Sequence, residues 1–492
     1  MRHRLVYYSM SLICIATFLF FYFIDDSKNV EIDKICASET SKAVVVQNGN
    51  ALAKTVAIPD SVYELRGFFD LNGDSLVLPV GCVLKGIDAI MANGIVVLSN
   101  NCTIENLKFQ NVKVVFDDKQ RLRIKHCSFE GNFKTTTIPE QNYMSAAIYG
   151  NRGKDVYIEN VSICNYQWGI SVFRSSRLII ENISFSGVLS DSIDFSSHIE
   201  NSNYHDAVHI AGTNESRIAH VNARNCGACV LLGNTSKYNI IENCCGNNLW
   251  DNGVYISSGN DNIVKSCEFQ NVRGTGVKAR GCRNIIMNNT VSVVGTGYGI
   301  TGRGKPIGID DYGQEYNGEG SSIVDNIVED FHDYGVAVAL YEGYPTSRVY
   351  VDNNRIFNGF SERPSISVYC SNARVSGNEI NCPNSYGIVV PLIKEKTTGG
   401  YVILNNSITC NRRGIAVSRC KNATVSNNKI YAEKQGLVVS ETEGSSFIHN
   451  EFTGNGKYYI SDNIIGKRNY YETFGDNDGI KPSDYSILEK RK

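Results

Sequence analysis

The chain has 492 residues, with 48 Lys and Arg against 50 Asp and Glu, a formal net charge of −2. Such a balance excludes a global pull toward nucleic acid or acidic membrane, so any charged partner must be met by a local patch. Its 44 Gly and 27 Tyr against 9 Pro and 2 Trp, with many β-branched residues, read as strand and turn.

The first 24 residues stand apart. Met1-Arg2-His3-Arg4 is a basic flank, and Leu5 to Ile24 is an almost unbroken apolar stretch ending at Asp25-Asp26. About 20 residues at 1.5 Å each span a hydrocarbon core, and the aromatic run at residues 20–24 suits an uncleaved anchor better than a signal-peptide cleavage site. The positive flank predicts the N-terminus inside and the bulk of the chain in the periplasm or at the cell surface. The alternative is a long cleaved signal peptide. The predicted divisions are residues 1–29 for flank and transmembrane anchor, 30–85 for an entry segment, 86–465 for a repeat domain, and 466–492 for a C-terminal cap and tail.

The repeat domain is defined by segments of the form apolar-x-apolar-x-Asn-x-x-apolar: CTIENLKF, VYIENVSI, LIIENISF, NIIMNNTV, YVILNNSI, ATVSNNKI. Aligned with NIVKSCEF and SFIHNEF, their last apolar residues include Phe269, Val291, Ile408, Ile430 and Phe452, and the basic period is near 22 or 23 residues. No helical periodicity lies between them, which predicts a β-solenoid whose coils stack at strand spacing around one core. Two residues before the aligned position stand Asn289, Asn326, Asn354, Asn378, Asn406, Asn428 and Asn450. Asn tolerates the left-handed backbone of a tight corner, and its amide can bond the next coil's amide, so an internal ladder is expected. Before residue 289 the same position is apolar and holds Cys127, Cys244 and Cys267, read as small buried core filler; Cys226-x-x-Cys229 is read the same way rather than as a metal motif. A third register, Gly-apolar-x-apolar (DNGVYI, GTGVKA, YGITG, YGVAV, YGIVV, RGIAV, QGLVV), predicts regular strands whose x residue faces outward.

The repeated ENxxF and NNxxI corners with stacked GIxV strands resemble the right-handed parallel β-helix proteins of the pectin-lyase-like superfamily, over roughly residues 60–465. The resemblance implies an all-β, single-stranded right-handed parallel β-helix of about 14 coils, carried here on an N-terminal transmembrane helix. Residues 63–86 resemble the entry segment of some tailspike-like members. The motifs specify the fold more than the activity, because the superfamily holds lyases, hydrolases, epimerases, spikes and adhesins.

Long spacings place insertions at 131–146, 186–206 and 294–320, and solenoid insertions commonly frame a binding face. Between the last two, the outward position reads His209, Leu231, Tyr255, Lys278 and Thr301, with Arg280 and Arg303 two residues beyond Lys278 and Thr301. Further along it reads Ala337, Ser367, Val389, Ala416 and Val438, which is bland. A polar column on a β-helix suits elimination or inversion beside a uronic acid's carboxylate: a base (Lys278 or His209), a cation to neutralise the carboxylate (Arg280) and an acid for the leaving oxygen (Tyr255). Arg303, His205, Asp206 and Tyr312 are candidate substrate-binding residues. The resemblance implies similar Lys, Arg, His and Tyr sets, often with Ca²⁺, for which Asp310 and Asp311 are the candidate ligands. The favoured function is therefore a lyase or epimerase acting on a uronic-acid-containing polysaccharide. A non-catalytic glycan-binding or structural β-helix is the alternative, and a glycoside hydrolase using Asp310 and Asp311 is third. Against hydrolysis, Lys278-Ala279-Arg280 reverses the Arg-x-Lys order of polygalacturonase-like members, and their NxD…DD…GHG series is missing. The expected partners are a polysaccharide and the membrane, with no nucleic acid, and the expected state is a monomer.

Overall fold

The structure is a computed structural model that describes residues 43–47, 52, 56–132, 145–189, 205–295, 298–302, 320–338, 348–360, 362–390, 398–454 and 457–460. The predicted anchor at residues 5–24 and the tail at 466–492 lie outside the described residues. Among the described residues, no helix is long and apolar enough to cross a membrane.

Within the compact unit Val45–Lys492 the chain winds as a solenoid with three strand-bearing faces. One coil shows the plan: Ile240–Glu242 on the first face, Cys245–Leu249 on the second and Asn252–Ile256 on the third. The next coil repeats it with Ile263–Lys265, Glu268–Val272 and Thr275–Ala279. Each strand pairs in parallel with its counterpart one coil away, as in Ile240↔Ile263, Cys245↔Glu268 and Tyr255↔Lys278. The roughly 22-residue period of the sequence is thus the length of chain that closes one turn. Alternating side chains point inward from all three faces, and Ile241, Val254, Ile256, Val264, Phe269 and Val277 fill one continuous buried core.

Two of the predicted insertions, through residues 133–144 and 190–204, connect the second face to the third; residues 303–319 connect the third face back to the first. All three segments lie outside the described residues.

The Asn ladder is present. Asn289 Nδ2 donates to Asn326 Oδ1 at 3.0 Å, and that oxygen also accepts the Asn289 backbone N–H. The same pair of bonds links Asn326 to Asn354, Asn354 to Asn378, Asn378 to Asn406, Asn406 to Asn428 and Asn428 to Asn450. Each ladder Asn is buried and therefore needs these partners. The left-handed backbone falls one residue earlier than expected: Asn288, Asp325, Asn353, Asn405 and Asn427 have φ of 54°, 55°, 55°, 57° and 56°. The corner divides its labour between two neighbours, one bending the chain and the next satisfying it. A second ladder, not anticipated from the sequence, opens the first face: Asn239 Nδ2 donates to Asn262 Oδ1 and Asn262 Nδ2 to Asn284 Oδ1.

The glycine that opens the third-face strands has a packing cause. A Cβ on Gly253 would lie 2.4 Å from the Gly276 carbonyl oxygen and 2.4 Å from Phe269. Every described cysteine is a free thiol; Cys127, Cys244 and Cys267 are buried in the core as expected, and burial pushes the Cys127 thiol up to about 12.

Candidate functional site

The third-face register runs His209↔Leu231↔Tyr255↔Lys278↔Thr301↔Ala337↔Ser367, so the outward column read from the sequence is one line of neighbours. Adjacent members are about 4.8 Å apart. The line extends upward through Ser171 and Tyr149.

Its centre is a knot of cations on one aromatic ring. Lys278 Nζ lies 4.6 Å and Arg280 Cζ 5.2 Å from the centroid of Tyr255. Tyr255, Lys278 and Arg280 are all partly exposed. Tyr255 and Lys278 meet because they are register partners, and Arg280 reaches the same ring because it leaves the strand two residues later on the same face. Stacking over a ring is worth about 0.5–1 kcal/mol at an exposed site and fixes where the two charges stand.

The same coils supply two charged residues that the outward column did not include. Asp251 ends the corner before the Tyr255 strand, and Arg273 ends the corner before the Lys278 strand. Burial raises the Asp251 carboxyl above its ordinary range, while Lys278, Arg280 and Arg273 pull it back down. Asp251 keeps partial exposure of its residue surface, yet burial still dominates at the carboxyl. Arg273 is 7% exposed. The signal for both lay in the turn sequences LWDNGVYI and NVRGTGVKA, where Asp251 sits directly before the strand and Arg273 is separated from it by Gly274.

The other candidates are placed differently. His209 points outward but is 5% exposed, with its imidazole 5.6 Å from the Trp168 ring and 5.2 Å from the Phe173 ring. Burial lowers it to about 3, so it is a neutral ring. It stands two rungs from Tyr255 and three from Lys278. His205 is also buried and lowered to about 4 by burial. Asp206 is 1% exposed, and its Oδ1 accepts the Ala228 backbone N–H at 2.8 Å. Asn252 does the same two coils further along the helix, accepting the Thr275 N–H at 3.2 Å. Asp206 therefore occupies a ladder position with a carboxyl in place of an amide. Burial holds that carboxyl well above the usual range, the Ala228 bond opposes it, and the Asp251 charge adds to it. Its Oδ2 has no hydrogen-bond partner. Arg303, Tyr312, Asp310 and Asp311 lie outside the described residues, and with them the candidate Ca²⁺ ligands. Among the described residues, no group of three or more His, Cys, Asp or Glu is arranged to hold a metal ion.

No curated protein matches the chain. Among solved structures it resembles a PL6 alginate lyase solved with a trisaccharide, at 13% identity over 71% of this chain and 86% of that one, with a TM-score of 0.49. It also resembles a periplasmic alginate epimerase, at 10% identity over 70% and 82%, TM-score 0.41. A third is a hyperthermoactive exopolygalacturonase from Thermotoga maritima, at 12% identity over 69% and 82%, TM-score 0.41. No residue's role is carried over from these likenesses. The family described as right handed beta helix region matches residues 146–310 and 313–471, most of the chain and all of the site just described, and the protein belongs to that family.

Proposed function

We propose that the protein acts on a uronic-acid-containing polysaccharide by lyase or epimerase chemistry, with one sugar seated over Tyr255, Lys278 and Arg280. The observation that carries this reading is the convergence of two cations on a single tyrosine, backed by the Asp251 carboxyl. Removing the proton beside a sugar carboxylate needs a base, a positive charge where the enolate-like oxygen develops, and a proton donor for the leaving oxygen. Lys278, when neutral, is the base; Arg280 receives the carboxylate; the Tyr255 hydroxyl is the donor. The Asp251 carboxyl lies within electrostatic reach of Lys278, Arg280 and Arg273. His209 and His205 support the scaffold, because both imidazoles are buried and uncharged. Membrane anchoring through residues 5–24 would keep the solenoid at a surface where long glycans are met, and a Ca²⁺ ion at Asp310 and Asp311 would add charge beside the column.

Non-catalytic glycan binding is the second reading. One observation favours it: the two buried histidines leave Lys278 as the nitrogen base of this column among the described residues. The deciding test is absorbance near 235 nm with alginate, pectate, hyaluronan and chondroitin, with and without added Ca²⁺, backed by ¹H NMR of the polymer for inversion. New unsaturated ends or inverted residues that vanish in Lys278→Ala and fall at least about a hundredfold in Arg280→Ala support the enzyme. Binding of the same polymers without any chemical change moves the assignment to the second reading.

A further inference from the structure

A hollow of about 370 Å³ opens on the edge between the second and third faces, lined by Phe360, Glu362, Pro383, Asn384, Asn411, Arg412 and Lys434. These residues occupy the corners that lead into four successive third-face strands, Pro364–Val368, Tyr386–Val390, Arg413–Ser418 and Gln435–Ser440. The same edge carries Asp251 and Arg273 further up the helix. Counting register partners from Lys278, the Pro364 strand is three rungs away and the Gln435 strand six. At about 4.8 Å per rung the hollow begins about 14 Å from Lys278 and ends about 29 Å from it.

Its lining has the makings of a sugar site. Phe360 is 55% exposed, with one side of its ring 5.2 Å from the His332 ring and the rest open to solvent. Asn384, Asn411 and Lys434 are exposed, and none of their side chains makes a hydrogen bond or ion pair within the described residues. Two amides offer donors and acceptors suited to hydroxyls, and an ammonium offers a partner for a carboxylate. Glu362 is paired with Arg412, whose guanidinium also lies over the Tyr386 ring at 5.7 Å, so the wall between the amides is held in place. Two cations face one carboxylate, leaving the hollow net positive toward an anionic chain.

We infer that this hollow is a second, remote subsite for the same acidic polysaccharide, one pyranose ring packing on Phe360 and its carboxylate meeting Lys434. The inference rests on the reading that Lys278 and its neighbours engage a uronate glycan. A pyranose unit is about as long as one rung, so a chain running along the edge would fill both places at once only if it is several units long. Engaging both turns the second contact into an intramolecular one and raises affinity for long chains without altering the reacting sugar. Neither place can tell a long polymer from a short fragment alone; the pair can.

The test measures, by calorimetry on the full chain made in the Lys278→Ala background to prevent turnover, the affinity for galacturonate and alginate oligomers from disaccharide to chains longer than an octasaccharide. The gain in affinity from short to long is the readout. Phe360→Ala with Lys434→Glu, both exposed and outside the core, is expected to reduce that gain at least about tenfold. Asn411→Asp, placing a like charge at the carboxylate subsite, should reduce it independently. An equal gain in the parent and in these variants overturns the subsite while leaving the reading of the Lys278 column intact. An equal loss at every chain length also overturns it. If no uronate oligomer of any length binds either the unaltered chain or the Lys278→Ala parent, both the subsite and the uronate reading fall.

Discussion

At the scale of single residues, many left-handed corner positions carry Asn, Asp or Gly, but β-branched Val293 and Thr235 are among those that do not. Val293 adopts φ of 53° between Asn271 and Asp330, its counterparts in the neighbouring coils, which share the left-handed conformation at 53° and 52°. A β-branched side chain in that region carries about 1–2 kcal/mol of strain that Asn largely avoids. Val293→Asn should therefore stabilise the protein by about 1 kcal/mol, read as a raised midpoint in urea with an unchanged slope. The buried titratable groups make a second residue-scale prediction. His209 and His205 have lowered folded values near 3 and 4, so the unfolded chain binds more protons below about pH 6.5 and their contribution to stability is lost as pH falls. Asp206 is raised, so its contribution is full below about pH 4 and is lost as pH rises toward its folded value. Between about pH 4 and 6.5 the two oppose each other. Asp206→Asn keeps an acceptor for the Ala228 amide and should leave the histidine slope, stability rising with pH. His209→Phe should shift the slope the other way. Denaturant midpoints at several pH values in that window measure both, and parallel curves for the three proteins would refute the assignment.

At the scale of the element, the ladder is the strongest sequence signal and the most exacting structural one. Within the ladder, as at Asn378, the Asn oxygen accepts two bonds from the preceding coil, while its Nδ2 donates to the following Asn and to a backbone carbonyl. Asn378→Ala strands the Asn354 amide and Nδ2 in the core, and about 1–3 kcal/mol is expected for each buried group left unmet. Asn378→Asp retains an acceptor but loses the donor, and its loss should be smallest at a pH where the new carboxyl is protonated. Chemical denaturation of the two variants at pH 5 and 8 separates donor from acceptor. The ladder was legible in the sequence because seven Asn recur in phase over consecutive coils. The ladder at Asn239, Asn262 and Asn284 is equally well bonded but repeats Asn over only three coils before handing over to Ser321, a run too short to stand out.

At the scale of the whole molecule, stability is expected to be nearly one-dimensional, because each coil packs on its two neighbours and on little else. Gly253→Val forces a side chain against the Gly276 carbonyl and Phe269. Hydrogen exchange should show protection falling in the coils around residues 240–280 while strands such as Val402–Leu404 and Thr424–Ser426 keep theirs. A uniform loss over the whole helix would mean that it unfolds as one unit. The same geometry lays a site lengthwise, so that residues far apart in sequence act on one bound chain.

What the sequence determined by itself was everything that repeats. A period near 22, inward apolar alternation, the corner Asn and the strand-opening Gly each recur because every coil solves the same packing problem, and repetition lifts such a signal above chance. The outward column from His209 to Thr301 followed from that period by counting. What only the tertiary structure decided was everything that happens once. Outward-facing His209 proved buried because Trp168 and Phe173 enclose it; Asp206 proved to be a ladder residue because the Ala228 amide needed an acceptor; Asp251 and Arg273 joined the cluster from corners no strand pattern marks. Burial, charge coupling and the approach of neighbouring corners are properties of the space between coils, and a linear pattern carries them only where the coils repeat them.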